Sequence, residues 1–286
     1  MTARAGGNTS CLEVRCGADV LILDAGTGIR ALGETLLGGK VKRAHLFFSH
    51  LHWDHIQGLP FFGPGWVPGF ELEVAGAAPD LAPALSLREA LSMQMRPPHF
   101  PVRLDDMRAT MRFRELGSGD RAALPGGATV TARSLNHPGG VLGLRVDYAG
   151  RSLVYATDNE HPRDRAEDPA LVELARGADI LVYDAMYTED EYAGRRGAPR
   201  VGWGHSTWEA GCAVAEAAGI GQLILFHHDP SRTDVDLDEL ERLAAIRRPG
   251  TIAAREGYSL ELESADAEEP TPPSRRPSGA GLSANG

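Results

Sequence analysis

Apolar residues along this chain fall into short runs and alternations separated by Gly, Pro, Asn and Asp. Residues 20–23, 44–48, 178–183 and 223–226 read as buried strands, each closing on polar or small residues. Residues 71–74 and 129–135 are strand-like, and 143–148 with 152–156 form a hairpin turning at Ala149-Gly150-Arg151. Helical patterns run from the small-residue turn Asp24-Ala25-Gly26-Thr27-Gly28 to residue 37, over 81–91 and over 234–246. A further helix opens at Gly204-His205-Ser206-Thr207, where Ser206 with Glu209 has the spacing of a capping box. Residues 251–254 and 258–262 are expected to add short strands.

The run ending at Phe48 delivers Ser-His-Leu-His-Trp-Asp-His, which places His50, His52, Asp54 and His55 within six positions. In extended backbone His50 and His52 share a face and can grip one ion. A turn then brings Asp54 and His55 round to a second, at the spacing of about 3.5 to 4 Å that one bridging water spans in hydrolytic sites. A single histidine is usually a satisfied core residue; this density at a strand end points to metal. Asp24 is either a partner that orients this loop or a turn-forming residue.

The pattern His-x-His-x-Asp-His resembles the metallo-β-lactamase superfamily. That resemblance implies an α/β fold, the αββα sandwich of two mixed β-sheets with helices on the outer faces and two metals at one edge. The superfamily hosts many hydrolases, so fold alone does not name a substrate. His137, closing the strand at 129–135, fits a third ligand for the first metal. By resemblance Asp158, after the hairpin, bridges both metals, although it could simply cap the stretch that follows. The same resemblance selects His227 rather than His228 as the last ligand. Nitrogen and oxygen donors without thiolate suit two Zn2+ ions, with Mn2+ or Fe2+ as alternatives. Such cations would make hydroxide available near neutral pH, and Asp54 would orient that nucleophile or take its proton.

His205-Ser206-Thr207 before a helix and Leu225-Phe226-His227 after a strand resemble the ribonuclease Z and small phosphodiesterase branch, in which that first histidine assists at the phosphate. The start of a helix also favours anions. Transfer-RNA processing members usually carry a protruding arm between the third histidine and the bridging aspartate. Here about 20 residues separate His137 from Asp158, enough for a hairpin alone. The expected activity is hydrolysis of a small or cyclic phosphodiester. Ribonuclease Z-type tRNA 3′-processing and lactone or thioester hydrolysis are the alternatives. Redox relatives typically carry Glu in place of His52 and append a flavin domain, for which there is no room.

Composition narrows the remainder. The chain has 286 residues, 42% hydrophobic and 24% charged, which fits a globular protein, and no apolar run reaches the ~20 residues that span a bilayer. Residues 1–10 lack the apolar core of a secretory signal, so a cytoplasmic location without membrane attachment is expected. A net charge of −10 disfavours broad attraction to nucleic acid, which makes RNA the less favoured partner; a homodimer is left open. Arg96, Arg103, Arg108, Arg112, Arg114 and Arg121, interspersed with Asp105, Asp106, Glu115 and Asp120, read as a mixed solvated surface. Cys11, Cys16 and Cys212 are too few and too irregular for a disulfide framework. Phe61, Phe62 and Trp66, on the Gly- and Pro-rich loop 58–70, either wall a pocket or pack down as core, and His99 is a secondary candidate for substrate contact. Glu160 and His161 are spare donors without a role. One domain over residues 1–263 and a disordered tail over 264–286 complete the reading.

Overall fold

A computed structural model describes residues 2–78, 85–164 and 167–265. Two mixed sheets stack face to face. The first has the order β1-β2-β3-β4-β5: β1 (Leu12–Cys16), β2 (Asp19–Leu23), β3 (Arg43–Phe47), β4 (Glu71–Ala77) and β5 (Thr110–Leu116). β1 runs antiparallel to β2, and β2 to β5 are parallel. The second sheet has the order β12-β11-β10-β9-β8-β7-β6. Its members are β6 (Arg121–Ala123), β7 (Thr129–Leu135), β8 (Val141–Tyr148), β9 (Arg151–Ala156), β10 (Ile180–Asp184), β11 (Gln222–Phe226) and β12 (Ile252–Ala253). Strands β9 to β12 are parallel and β6 to β9 antiparallel.

Three hydrophobic clusters account for the layering. Leu21, Leu23 and Phe47 meet Val130, Leu144, Tyr155 and Val182 between the sheets. The other face of the first sheet, with Ile22, Leu46, Leu72 and Val74, packs on Ile29 and Leu36 of α1 (Ile29–Leu37) and on Leu87 and Leu91 of α3 (Leu87–Gln94). The outer face of the second sheet, with Leu181, Tyr183, Leu223 and Leu225, packs on α4 (Pro169–Ala175), α6 (Trp208–Ala218) and α7 (Asp234–Arg247). Central strands buried on both faces explain why β2, β10 and β11 read as unbroken apolar runs. The expected αββα sandwich is therefore present. Two short helices, α2 (Trp53–Ile56) and α5 (Glu189–Tyr192), lie in the loops.

Several expectations needed correction. Residues 258–262 form no strand and expose Tyr258, Leu260 and Leu262, because β12 already ends the sheet after Ala253. The helix expected over 81–91 begins at Leu87, where Ser86 and Glu89 make a reciprocal capping box; residues 81–84 lie outside the described residues. β1 and β5, unread in the sequence, occupy the two edges of the first sheet. The arginine-rich stretch is exposed, as expected, with Arg103 near Asp105 and Arg112 near Glu71. Cys11, Cys16 and Cys212 are free, and the last two are buried. The tail expected from 264 lies, beyond Ala265, outside the described residues. Among the described residues no helix is long and apolar enough to cross a membrane.

Candidate metal centre

The loops leaving the C-terminal ends of β2, β3, β7, β9, β10 and β11 converge at one edge of the sandwich. Three strand ends turn there on non-glycine residues in the left-handed region: Asp24 at φ 64°, Asp158 at φ 50° and His227 at φ 54°. That conformation costs of order 1–3 kcal/mol per residue, and it persists only where the surroundings hold it.

Asp24 is fully buried and its carboxylate accepts four hydrogen bonds. They come from Ser49 N at 2.7 Å, and from Ser49 Oγ, His55 Nδ1 and the Tyr155 hydroxyl at 2.8 Å each. Asp24 is thus the partner that orients the loop, and its turn interlocks with it. Ala25 N donates to His55 O, Gly58 N donates to Ala25 O, and a Cβ on Gly26 would lie 2.4 Å from Asp54 O, so only glycine fits.

This network sets the tautomers. His55 gives its Nδ1 proton to Asp24, so its Nε2 lone pair faces the centre. Ser49 Oγ donates to Asp24 and can accept from His50 Nδ1 at 3.1 Å, which leaves the His50 Nε2 lone pair facing inward. His137 Nδ1 donates to Gly204 O at 2.8 Å with the same result.

Two groups of donors follow. His50, His52, His137 and Asp158 form one, and Asp54, His55, Asp158 and His227 the other; within each, the ligand atoms lie within 4.8 Å of one another. Asp158 divides its oxygens between them. Its Oδ1 lies 3.7 Å from His50 Nε2 and 3.8 Å from His137 Nε2, whereas Oδ2 lies 3.1 Å from His55 Nε2 and 3.3 Å from His227 Nε2. Asp54 Oδ2 is 3.3 Å from His55 Nε2 and 3.2 Å from His227 Nε2. A tetrahedral ion with bonds of about 2.0–2.1 Å holds its ligand atoms about 3.3 Å apart, so the second group has the dimensions of such a shell.

The chemistry of these donors fits cations. His50 Nε2 is buried without a hydrogen-bond partner, and His137 Nε2 faces His52 Nδ1 at 3.0 Å. Burial disfavours charge on His227, yet Asp158 and Asp54 push it up to about 9; Asp24 and Asp158 likewise raise His55 against its burial. Burial raises the Asp158 carboxyl, but His227, His55 and His50 hold it well below the usual carboxylate range. The carboxylates demand positive charge at the atoms where divalent ions can supply it.

Each sequence-predicted ligand candidate, His50, His52, Asp54, His55, His137, Asp158 and His227, is brought into these groups. His205 lies beside them, its ring 5.0 Å from His227 and 5.3 Å from His137. Its setting differs from expectation. The N-cap of α6 is Thr207, which accepts from Ala210 N, while Ser206 Oγ is buried against the Tyr183 hydroxyl and His161 Nδ1. His205 is positioned by Asp184, whose Oδ2 takes its Nδ1 proton at 2.8 Å. The cap is therefore Thr207 in place of Ser206, and His205 stands two residues before it. Asp184, Asp158, His205 and His227 also lie close enough for a third set, but Asp184 is already engaged by His205, Ser206 N and Met186 N.

Asp184 escaped the sequence reading, although it closes an apolar strand as His227 and Asp158 do. His228 faces neither group, and both its ring nitrogens lack a partner among the described residues. His99 is exposed and belongs to neither group. Of the loop aromatics, Phe62 is core, Trp66 is half-buried with Nε1 donating to Pro60 O, and Phe61 is exposed against Phe100. Glu160 gains a role: its carboxylate accepts from Gly202 N, Gly204 N and the Tyr192 hydroxyl.

Residues 20–228 match the family model described as the β-lactamase superfamily domain. The chain belongs to that superfamily. It is 27% identical over 299 residues to a ribonuclease Z of Myxococcus xanthus, covering 89% of this chain and 92% of that one. The fold is shared with YhfI of Bacillus subtilis, a metallo-β-lactamase fold protein (TM-score 0.65, 18% identity, 88% and 92% of the two chains). It is shared as well with a diphosphatase of the PhnP family (TM-score 0.64, 20% identity, 90% and 85%). Membership in this superfamily, with the His and Asp groups above, makes the protein a metal-dependent hydrolase.

Proposed function

We propose that the protein is a dinuclear phosphodiesterase acting on a small or cyclic phosphodiester. The observation that carries this reading is the division of Asp158, one oxygen toward each donor group, beside a histidine whose Nδ1 is held by Asp184. In this reading His50, His52, His137 and Asp158 hold one ion, and Asp54, His55, His227 and Asp158 hold the other. The donor set suits zinc. When bound, two such ions acidify water and polarise the phosphate oxygens.

The chain's own residues supply the rest. Asp54, whose Oδ2 lies 3.3 Å from His55 Nε2 and 3.2 Å from His227 Nε2, would hold the second ion through that oxygen and keep its other oxygen free to orient the attacking water or take its proton. His205 keeps its Nδ1 proton on Asp184, so in the imidazolium form the second N–H, at Nε2, is the donor that can bind a phosphate oxygen or be delivered to the departing one. Asp24 and Gly204 O hold the tautomers of His55 and His137, so these side chains need little reorganisation during turnover.

Cleavage of precursor transfer RNA is the second reading, favoured by the ribonuclease Z of Myxococcus xanthus that matches over 92% of its length. Against it, His137 and Asp158 are joined only by the β8–β9 hairpin, with Ala149 and Gly150 between the strands. Assay of metal-saturated protein on a nitrophenyl phosphodiester, cyclic nucleotides, precursor transfer RNA, a lactone and a β-lactam separates these classes. Turnover of the small diesters is expected; lactone turnover without diester turnover would overturn the assignment.

A further inference from the structure

Trp203 stands two residues before His205 with 55% of its surface in solvent. Glycines flank it at φ 86°, and both of their amides donate to the buried Glu160, Gly202 N at 2.7 Å and Gly204 N at 2.8 Å. Trp203 N donates to Arg200 O at 3.1 Å, and the Arg200 guanidinium sits over the ring, 4.6 Å from its centroid. Gly204 cannot be replaced: a Cβ there would lie 2.3 Å from His137 Nδ1. The result is a tight bow whose outward indole is braced on one side by a cation.

A structural role does not account for this bow. An aromatic ring that serves the core is buried, as Phe62 is, and an indole that serves a loop finds a partner for its Nε1, as Trp66 does. Trp203 does neither among the described residues. An open cleft of about 370 Å³ adjoins the bow, lined by Asn136, His137, Pro138, Glu160, Arg163 and Gly202. Arg163 is exposed and has no ion-pair partner among the described residues. His137, a candidate ligand, is one wall of this cleft, so a group lying in it stays close to the metal centre. Two residues of backbone span at most about 7 Å, which keeps Trp203 near His205 as well.

We propose that the open face of Trp203 is a stacking platform for a nucleobase of the phosphodiester substrate. The inference rests on the phosphodiesterase reading and names its substrate class. Flat π-systems joined to a phosphodiester through one sugar are the chemistry that a braced indole beside a phosphate site recognises. Stacking is sequence-tolerant, so the platform selects for the presence of a base rather than for its identity.

The test is equilibrium binding of adenosine 5′-monophosphate and of ribose 5-phosphate to the metal-loaded protein, by calorimetry and by quenching of tryptophan fluorescence. Wild type is expected to favour the base-bearing ligand by roughly 5- to 150-fold, the span of one base–aromatic stack. Trp203→Ala should lose this preference while its affinity for ribose 5-phosphate and its metal content stay unchanged. Trp203→Phe should keep most of the preference and lose most of the quenching. Equal affinity of wild type for the two ligands would overturn the proposal, whatever the variants do. So would an equal loss of both affinities in Trp203→Ala, which marks a structural role. Rates on a diribonucleotide and on precursor transfer RNA then tell a free nucleotide ester from an RNA strand as the source of the base. If no phosphodiester is cleaved, the function assignment fails; if diesters are cleaved without preference for a base, only the platform fails.

Discussion

Asp184 Oδ2 lies 2.8 Å from His205 Nδ1, and the two residues reach each other from the end of β10 and from the loop before α6. The carboxylate accepts the Nδ1 proton, so Nε2 is the atom left to act on substrate. Asp184→Asn offers the same shape but can present an N–H in place of the acceptor, which favours the wrong tautomer. It is expected to lower kcat on a nitrophenyl phosphodiester by about 10- to 100-fold, a typical effect of an orienting partner, with metal content intact by elemental analysis. Metal loss in this variant would place Asp184 among the ligands instead.

His205→Ala addresses the atom that Asp184 presents. General acid catalysis contributes typically about 10²- to 10⁴-fold, and less for a nitrophenolate that leaves without a proton. The rate loss is therefore expected to grow as the leaving group becomes more basic. A series of aryl and alkyl diesters measures this slope; a flat response with metal retained would exclude proton donation.

Asp24 is fully buried and accepts four hydrogen bonds. Asp24→Ala strands the Ser49, His55 and Tyr155 donors, and an unsatisfied buried group costs about 1–3 kcal/mol. It also frees the His55 tautomer. Urea unfolding should show a loss of several kcal/mol, and competition with a chelator should show metal affinity lower by about 10- to 100-fold.

Metal stoichiometry distinguishes the two donor groups. Metal-saturated protein should hold two ions per chain; His52→Ala should empty the first group, and Asp54→Ala should weaken the second. Ions that bind only the folded chain stabilise it, so removing them with a chelator is expected to lower the melting temperature, with recovery on adding Zn2+. A stoichiometry of one at saturation would defeat the dinuclear reading.

Glu209, in the first turn of α6, is pushed up to about 7 by burial, with Glu189 adding to it and backbone amide bonds opposing. Its pKa in the folded protein is above its unfolded value, so the native state binds the proton more tightly. The resulting stability is fully present below the unfolded pKa and is lost as pH rises through about 7. Glu209→Gln stays neutral throughout. Unfolding at two pH values should therefore find the variant more stable than wild type at pH 8, by a margin that shrinks towards pH 5.

The sequence by itself determined the donor types and their local grouping. His50, His52, Asp54 and His55 lie within six positions, and the backbone periods over so short a span fix which side chains can share an ion. The doubly buried strands β2, β10 and β11 were legible because a strand covered on both faces must be apolar throughout. The edge strands β1 and β5 were not, since half-exposed residues there carry no such run. Family resemblance, rather than periodicity, singled out His227 over His228, because β11 ends at Phe226 and its alternation stops there. Only the tertiary structure decided the partners: Asp24 for His55, Asp184 for His205, Glu160 for the two glycine amides, and Ser206 for Tyr183 in place of a helix cap. These pairs lie 21 to 44 residues apart. Local propensity is blind to such separations; the stacking of the two sheets brings the strand ends to one edge, and burial there then requires each polar group to find its partner.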